Sequence, residues 1–242
     1  MDPRNYLAIA LDLPDEHQAL ALVDRLGNTC QWYKVGMELY YAAGNRIVHE
    51  LRNRGFNIFL DLKLHDIPNT VAGAVRSATN AGASLLTIHA SGGAAMMSAA
   101  AEAAQAPGSP RLLAVTVLTS MDASELAGIG ITASPADQVL RLAKLAQQSG
   151  IDGMVCSPEE VAMLRTETGP DTLLVIPGIR PAGSAVDSGS RDDQKRVATS
   201  AQAIAHGASM LVVGRPITRA PDPAEAARAI LQEIEQAQPA TR

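Results

Sequence analysis

Short apolar segments of strand type alternate with amphipathic segments of helix type, and this alternation constrains the fold more than any other feature. Four of the amphipathic segments end in a glycine just before the next apolar segment, at Gly55, Gly82, Gly150 and Gly207. Glycine at such a point favours a left-handed helix cap that leads the chain into the following strand. The predicted strands are Leu7–Leu11, Trp32–Val35, Ile58–Leu62, Leu85–His89, Leu112–Leu118, Gly153–Cys156, Leu173–Ile176 and Met210–Val213.

Eight strand–helix units with a shared junction chemistry predict a single (β/α)8 TIM barrel, an α/β fold that occupies residues 1–242 as one domain. A doubly wound open sheet is the alternative, but no Gly-x-Gly-x-x-Gly sequence follows the first predicted strand. No linker or low-complexity segment in the sequence suggests a second domain.

Charge and hydropathy exclude some classes of partner. The net charge is −5 and no block of basic residues occurs, so we expect no nucleic-acid-binding surface. No apolar run is long enough to span a membrane, and the first residues lack the apolar stretch of a signal peptide. Cys30 and Cys156 fit no metal-ligand spacing, and we expect free thiols in a reducing cytoplasm.

Polar and charged residues follow the predicted strands at their carboxyl ends, where the active site of such a barrel lies. In strand order they are Asp12, Lys34, Asp61 with Lys63 and Asp66, His89, Thr119 with Ser120, Arg180, and Gly214 with Arg215. Because these residues terminate buried strands, a merely solvated surface does not explain them. The sequence therefore predicts a functional site at this rim of the barrel.

The segment from Asp61 to Asp66 carries acid, base and acid where a buried strand ends. Asp61 and Lys63 stand two residues apart, so they project from one face of the sheet. A structural ion-pair network is one interpretation. Together with Lys34, however, the cluster alternates in sign, which keeps Lys63 an ammonium ion able to stabilise a neighbouring carbanion and then protonate it. That arrangement suits decarboxylation without a cofactor.

A phosphate site is predicted in the loops after the seventh and eighth strands, as is common in this fold. Gly214 allows close backbone approach and Arg215 offers a fork of donors. The long polar loop from Pro181 to Arg196 is typical of a lid, and its Gln194 could reach over the ligand. A surface insertion without function is the alternative for this loop.

The decapeptide from Asp61 to Thr70, Asp-Leu-Lys-Leu-His-Asp-Ile-Pro-Asn-Thr, resembles the signature of the orotidine 5′-phosphate decarboxylase family, of bacterial type. The resemblance extends over nearly the whole chain. It includes Ala10-Leu11-Asp12, Tyr33-Lys34-Val35-Gly36, the run from Val115 to Met121, the run from Asp152 to Ser157, Pro177-Gly178-Ile179-Arg180 and Val213-Gly214-Arg215-Pro216. It implies the last reaction of de novo UMP synthesis.

The resemblance also implies a role for each matching residue. Lys63 would donate the proton to C6, with Asp61 beside the departing carboxylate. Lys34 and Asp12 would contact the ribose, and Thr119, next to Ser120, would meet the pyrimidine ring. Gln194, Gly214 and Arg215 would hold the phosphate, with Arg180 close to them. Asp66 and Thr70 would reach into the neighbouring subunit's site and make the protein a homodimer.

Two other functions stay open at this point. Magnesium-dependent 3-keto-gulonate 6-phosphate decarboxylases and hexulose phosphate synthases resemble this pattern, but they need a glutamate at the end of the second strand, where Lys34 stands. A non-catalytic phosphate-binding barrel is the other. An incomplete set of charged residues would favour that barrel, yet Lys34, Asp61, Lys63 and Asp66 are all present.

Overall fold

The computed structural model of this chain describes residues 2–181 and 196–238. Its strands pair in parallel, in chain order, and close into an eight-stranded barrel. They are β1 Leu7–Ala10, β2 Trp32–Gly36, β3 Asn57–Leu64, β4 Leu85–His89, β5 Arg111–Val115, β6 Gly153–Val155, β7 Leu173–Ile176 and β8 Met210–Val213. Pairing of β1 with β8, with Leu7 opposite Leu211, closes the ring. The predicted (β/α)8 barrel is confirmed.

Helices lie between consecutive strands, and two more follow β8. They are α1 Glu16–Leu26, α2 Met37–Ala43, α3 Asn45–Asn53, α4 Pro68–Ala81, α5 Gly93–Ala103, α6 Ala123–Gly128, α7 Pro135–Gln148, α8 Val161–Thr168, α9 Ser200–Ala205, α10 Arg215–Thr218 and α11 Pro223–Ala237. None of the helices in the described part of the chain is long and apolar enough to cross a membrane.

Local sequence signals explain where several helices begin and end. The Ser134 hydroxyl accepts the Asp137 N–H at the start of α7, and the Asp222 carboxylate accepts the Glu225 N–H at the start of α11. At the junctions back to the strands, φ is 89° at Gly55, 85° at Gly82, 83° at Gly150 and 100° at Gly207. These left-handed conformations confirm the predicted junctions, since glycine adopts them without steric cost.

Buried side chains form two layers. The larger layer lies between the barrel and its helices, and the smaller one fills the barrel interior with Ala8, Ala10, Phe59, Leu85, Leu113, Val175, Met210 and Val212. Strand β1 illustrates the alternation, since Leu7 and Ile9 belong to the outer layer and Ala8 and Ala10 to the inner one. This inner layer fills the barrel below its rim, and the charged residues at the strand ends lie above it.

Two strands end two or more residues away from their predicted ends, whereas the carboxyl ends of the other six agree to within one residue. Strand β5 ends at Val115 rather than Leu118, because its partner β6 has only three residues and the pairing stops where Val115 meets Val155. Strand β3 continues to Leu64 rather than Leu62, because Leu64 pairs with Ile88 after a shift in register. Both differences affect the rim, since the residues after Val115 lie outside the strand and the β3–β4 register shifts over the stretch that carries Asp61 and Lys63.

Candidate active site

A cavity of about 810 Å³ opens at the carboxyl ends of the strands. That volume is in the range of small-molecule sites, about 300–1,000 Å³. Eight of the predicted site residues line it, namely Asp12, Lys34, Asp61, Lys63, Thr119, Arg180, Gly214 and Arg215. Three others do not: Asp66 and Thr70 are exposed on the segment after β3 and are not among the lining residues, and Gln194 lies outside the described residues.

A break in the β3–β4 ladder shapes the charged wall of the cavity. The register between these strands shifts between Leu60 and Leu64. Within this irregularity Lys63 adopts φ = 50°, the only positive value at a non-glycine residue in the described chain. A left-handed backbone costs an L-residue roughly 1–2 kcal/mol, so the surrounding contacts must hold it in place.

Four charged side chains form a continuous network across the first three strands. Lys34 Nζ lies 2.7 Å from Asp12 Oδ1 and 3.5 Å from Asp61 Oδ2. Lys63 Nζ lies 2.8 Å from Asp61 Oδ1. The side chains of Lys34 and Asp61 are only 9% and 13% exposed, whereas that of Lys63 is 28% exposed. Of the two ammonium groups that contact Asp61, that of Lys63 is therefore more accessible to a ligand in the cavity than that of Lys34.

Electrostatic coupling keeps the buried members of this network ionised. Burial raises the pKa of Asp61, but the ammonium groups of Lys34 and Lys63 lower it by more than burial raises it. The pKa of Asp61 therefore lies below its ordinary value. Burial lowers the pKa of Lys34, but the carboxylates of Asp61 and Asp12 raise it more, so that pKa lies above its ordinary value. Opposite charges at these distances favour the charged form of each group.

Glycine at the end of β2 leaves room for the network. An added Cβ at Gly36 would lie 2.8 Å from both Asp12 Oδ1 and Lys34 Nζ. Such a contact is too short for a real side chain, so a larger residue at position 36 would displace the Asp12 carboxylate or the Lys34 ammonium group. Gly36 belongs to the Tyr33-Lys34-Val35-Gly36 motif, and this close approach is a physical reason for a glycine at that position.

The loops after β7 and β8 form another wall of the cavity. Gly214 directly precedes α10, and both Gly214 and Arg215 line the cavity. Arg180 lies beyond β7, where its N–H donates to the Ala198 carbonyl at 2.9 Å. An anion between these loops would meet two guanidinium groups, which are strong donors to phosphate oxygens.

Asp66 and Thr70 belong to a different surface from the cavity. Asp66 Oδ1 accepts the Ile67 N–H at 2.6 Å, and the Ile67 side chain is 68% exposed. Every residue from His65 to Thr70 is exposed. The prediction that Asp66 and Thr70 act in a neighbouring subunit stays a prediction.

Sequence reasoning missed a buried ion pair beneath the rim. Glu160 forms a capping box with Ser157 at the start of a short 3-10 helix, Pro158–Glu160, which precedes α8. The Glu160 carboxylate also accepts a charge-assisted hydrogen bond from Arg196, whose Nη2 donates to the Leu118 carbonyl at 3.1 Å. Side-chain exposures of 9% for Arg196 and 5% for Glu160 make this pair fully internal.

Sequence reasoning also missed Thr87, a buried residue of β4. Its hydroxyl contacts both Lys63 N and Asp61 Oδ1. No sequence signal distinguishes it from an ordinary strand residue, because the contact depends on the irregular β3. Within residues 2–181 and 196–238, no group of three or more His, Cys, Asp or Glu side chains is arranged to hold a metal ion.

Comparison with known proteins places this geometry in a family. The family model described as "Orotidine 5'-phosphate decarboxylase / HUMPS family" matches residues 5–230. The orotidine 5′-phosphate decarboxylase of Nitrosococcus oceani is 53% identical over 232 residues, which cover 96% of this chain and 98% of that protein. The protein of the same name from Actinobacillus pleuropneumoniae serotype 5b is 50% identical and covers 95% of this chain.

The fold agrees with that assignment. A crystal structure of orotidine 5′-phosphate decarboxylase from Lactobacillus acidophilus superimposes with a TM-score of 0.83 and 41% sequence identity, and the match covers 95% of this chain and 99% of that one. Sequence and structure therefore agree over nearly the full length, and the chain belongs to the orotidine 5′-phosphate decarboxylase / HUMPS family.

Proposed function

We propose that this protein is an orotidine 5′-phosphate decarboxylase, a carboxy-lyase that forms UMP in de novo pyrimidine biosynthesis in the cytoplasm. The observation that carries the proposal is the contact of Lys63 Nζ with Asp61 at 2.8 Å, beside a cavity that Asp12 and Lys34 also line. Family membership supports the substrate, and the whole chain acts as one catalytic domain.

Chemistry in this site is electrostatic and needs no cofactor. The C6–carboxylate bond breaks, CO₂ leaves, and the electron pair stays on C6. That carbanion cannot delocalise into the ring π system, so a preorganised cation must stabilise it. Lys63 supplies the cation and then transfers a proton from Nζ to C6, and solvent reprotonates the resulting amine. Asp61, kept ionised by its neighbours, lies beside the departing carboxylate.

Contacts remote from C6 position the substrate. Lys34 and Asp12 hold the ribose hydroxyls, and Thr119 meets the pyrimidine ring. The phosphate binds to Gly214, Arg215 and Gln194, with Arg180 beside them. These contacts are far from the reacting carbon. Binding energy from the phosphate thereby orients C6 against Lys63 and excludes water.

The active form in this proposal is a homodimer in which Asp66 and Thr70 complete the neighbouring site. The segment from His65 to Thr70 supports it, because all of its residues, Ile67 included, are exposed and therefore accessible to a partner subunit. A co-expressed mixture of Lys63→Met and Asp66→Asn chains tests this arrangement. Each mixed dimer would contain one intact site, so activity should return to about one quarter of wild type with random pairing. Two inactive chains that stay inactive together would contradict a shared site.

Loss of orotidine 5′-phosphate absorbance in EDTA, with UMP as product, tests the reaction itself. Asp61 lies between two ammonium groups, which would repel a divalent cation there, so we expect full turnover in the chelator. Activity on a sugar phosphate only after magnesium is added would instead favour the hexulose phosphate branch. Binding of the nucleotide without turnover of either substrate would favour a non-catalytic barrel.

A further inference from the structure

Thr87 lies at the centre of β4 and is fully buried, with no exposed surface. It is not among the residues that line the cavity, so it does not meet the substrate directly. A hydroxyl in such a place must find hydrogen-bond partners within the protein, because leaving it unsatisfied is costly. Its partners are the two residues of β3 that face the cavity.

The geometry fixes the direction of both hydrogen bonds. The Lys63 backbone N–H donates to Thr87 Oγ1 at 2.8 Å. Since that N–H can only donate, the hydroxyl proton is left for Asp61 Oδ1 at 3.0 Å, and an ionised carboxylate can only accept. The same Asp61 oxygen accepts from Lys63 Nζ. One hydroxyl thus holds the backbone of Lys63 and the carboxylate that Lys63 pairs with.

The irregularity in β3 explains why a side chain is needed at this point. The β3–β4 register is interrupted between Leu60 and Leu64, and Lys63 sits there at φ = 50°. At that place Thr87 Oγ1 serves as the acceptor that a strand carbonyl would otherwise provide. A strained backbone persists only when its surroundings over-determine it, and this hydrogen bond is such a constraint.

We propose that Thr87 is a positioning residue, whose hydroxyl sets the backbone of Lys63 and the orientation of Asp61 for the proposed decarboxylation. The expected change in kcat rests on the proposed function, whereas the expected change at the Lys63 backbone and Asp61 does not. Removing the hydroxyl would let Asp61 turn and the Lys63 backbone relax, while the residues that contact phosphate and ribose stay in place. The effect should therefore fall on kcat rather than on KM.

Three variants test this role. Thr87→Val keeps the volume but removes the hydroxyl, and we expect kcat to fall about 10- to 100-fold with KM changed less than about threefold. Thr87→Ser restores the hydroxyl, and its kcat should stay within about threefold of wild type. Thr116→Val is the matched control, because Thr116 is also a buried barrel threonine, yet its hydroxyl donates to the Val155 carbonyl at 2.9 Å and not to the charged network.

Wild-type kcat for Thr87→Val, a Thr87→Ser variant as impaired as Thr87→Val, or an equal loss in Thr116→Val would each overturn the role. If Thr87→Val does not fold, Thr87→Ala replaces it with the same expectations. Hydrogen exchange of the Lys63 amide separates this proposal from the proposed function. Exchange should be faster in Thr87→Val than in Thr87→Ser whether or not the wild type decarboxylates orotidine 5′-phosphate, and equal exchange would refute the positioning role alone.

Discussion

Replacing Lys63 by methionine should nearly abolish turnover while it leaves the fold and nucleotide binding intact. Methionine keeps most of the length and volume of lysine but carries no charge and no transferable proton. Asp61 would still contact Lys34 at 3.5 Å and Thr87 at 3.0 Å, so its buried carboxylate would not be left without partners. We therefore expect a folded protein with a defect confined to chemistry.

Two losses set the size of the effect. An ammonium about 3.5 Å from a carbanion, at an effective dielectric of about 20, contributes roughly 5 kcal/mol before desolvation. Because the Lys63 side chain is 28% exposed, solvent screening reduces this contribution. We take about 3 kcal/mol, or about 100-fold in rate. Loss of the general acid removes about another 10²–10⁴-fold, so kcat should fall by at least about 10⁴-fold.

The assay is the ultraviolet change of orotidine 5′-phosphate, with UMP affinity measured separately by calorimetry. UMP lacks the carboxylate, so its affinity should change less than about tenfold in Lys63→Met. Lys144→Met is the matched control, because Lys144 pairs with Glu167 at 3.0 Å and its side chain is 51% exposed. Turnover within tenfold of wild type would refute the proton-donor role, and loss of UMP binding together with activity would show that Lys63 acts by maintaining the site.

Arg215→Ala should raise KM roughly 10- to 100-fold in the same assay, because it removes a charge-assisted hydrogen bond to phosphate; an unchanged KM would remove Arg215 from that site. Arg196→Met should lower the free energy of unfolding by about 3–5 kcal/mol in urea denaturation, because Glu160 would stay buried without its cation. Adding Glu160→Gln should recover part of that loss, and no recovery would argue against the pair. Burial, and to a smaller extent electrostatic repulsion from His65 and Lys63, lowers the pKa of His89. The folded state thus binds this proton less readily than the unfolded state, so wild-type stability is lost as pH falls from about 7 through the lowered pKa. His89→Gln should show a flatter decline, whereas the exposed His206→Gln should not, and parallel curves for all three proteins would contradict this account.

Patterns local in the chain made the barrel and most of its rim predictable. A buried parallel strand is an uninterrupted apolar run, so its polar end is visible in the sequence without any knowledge of the partner strands. Asp12, Lys34 and Asp61 could therefore be placed at one rim from the fold alone. Their proximity to one another follows from the same rule, because adjacent parallel strands end side by side.

Contacts that depend on an exact register were not predictable. Thr87 meets Asp61 and Lys63 only because the β3–β4 ladder shifts between Leu60 and Leu64, and no composition signal marks that shift. Arg196 meets Glu160 across 36 positions in the chain, where neither residue belongs to a motif that would identify its partner. Such contacts arise from tertiary packing rather than from local pattern.

The residues on either side of segment 182–195 are held to each other and to the barrel. The Arg180 N–H donates to the Ala198 carbonyl at 2.9 Å, the Ala198 N–H donates to the Gly178 carbonyl at 3.3 Å, and Arg196 is anchored on Glu160. For a loop whose ends are already joined, the entropic cost of added length grows only with the logarithm of that length. Insertions and deletions between these anchors that keep Gln194 should thus cost the barrel little stability, and this segment is a place where relatives can diverge in length.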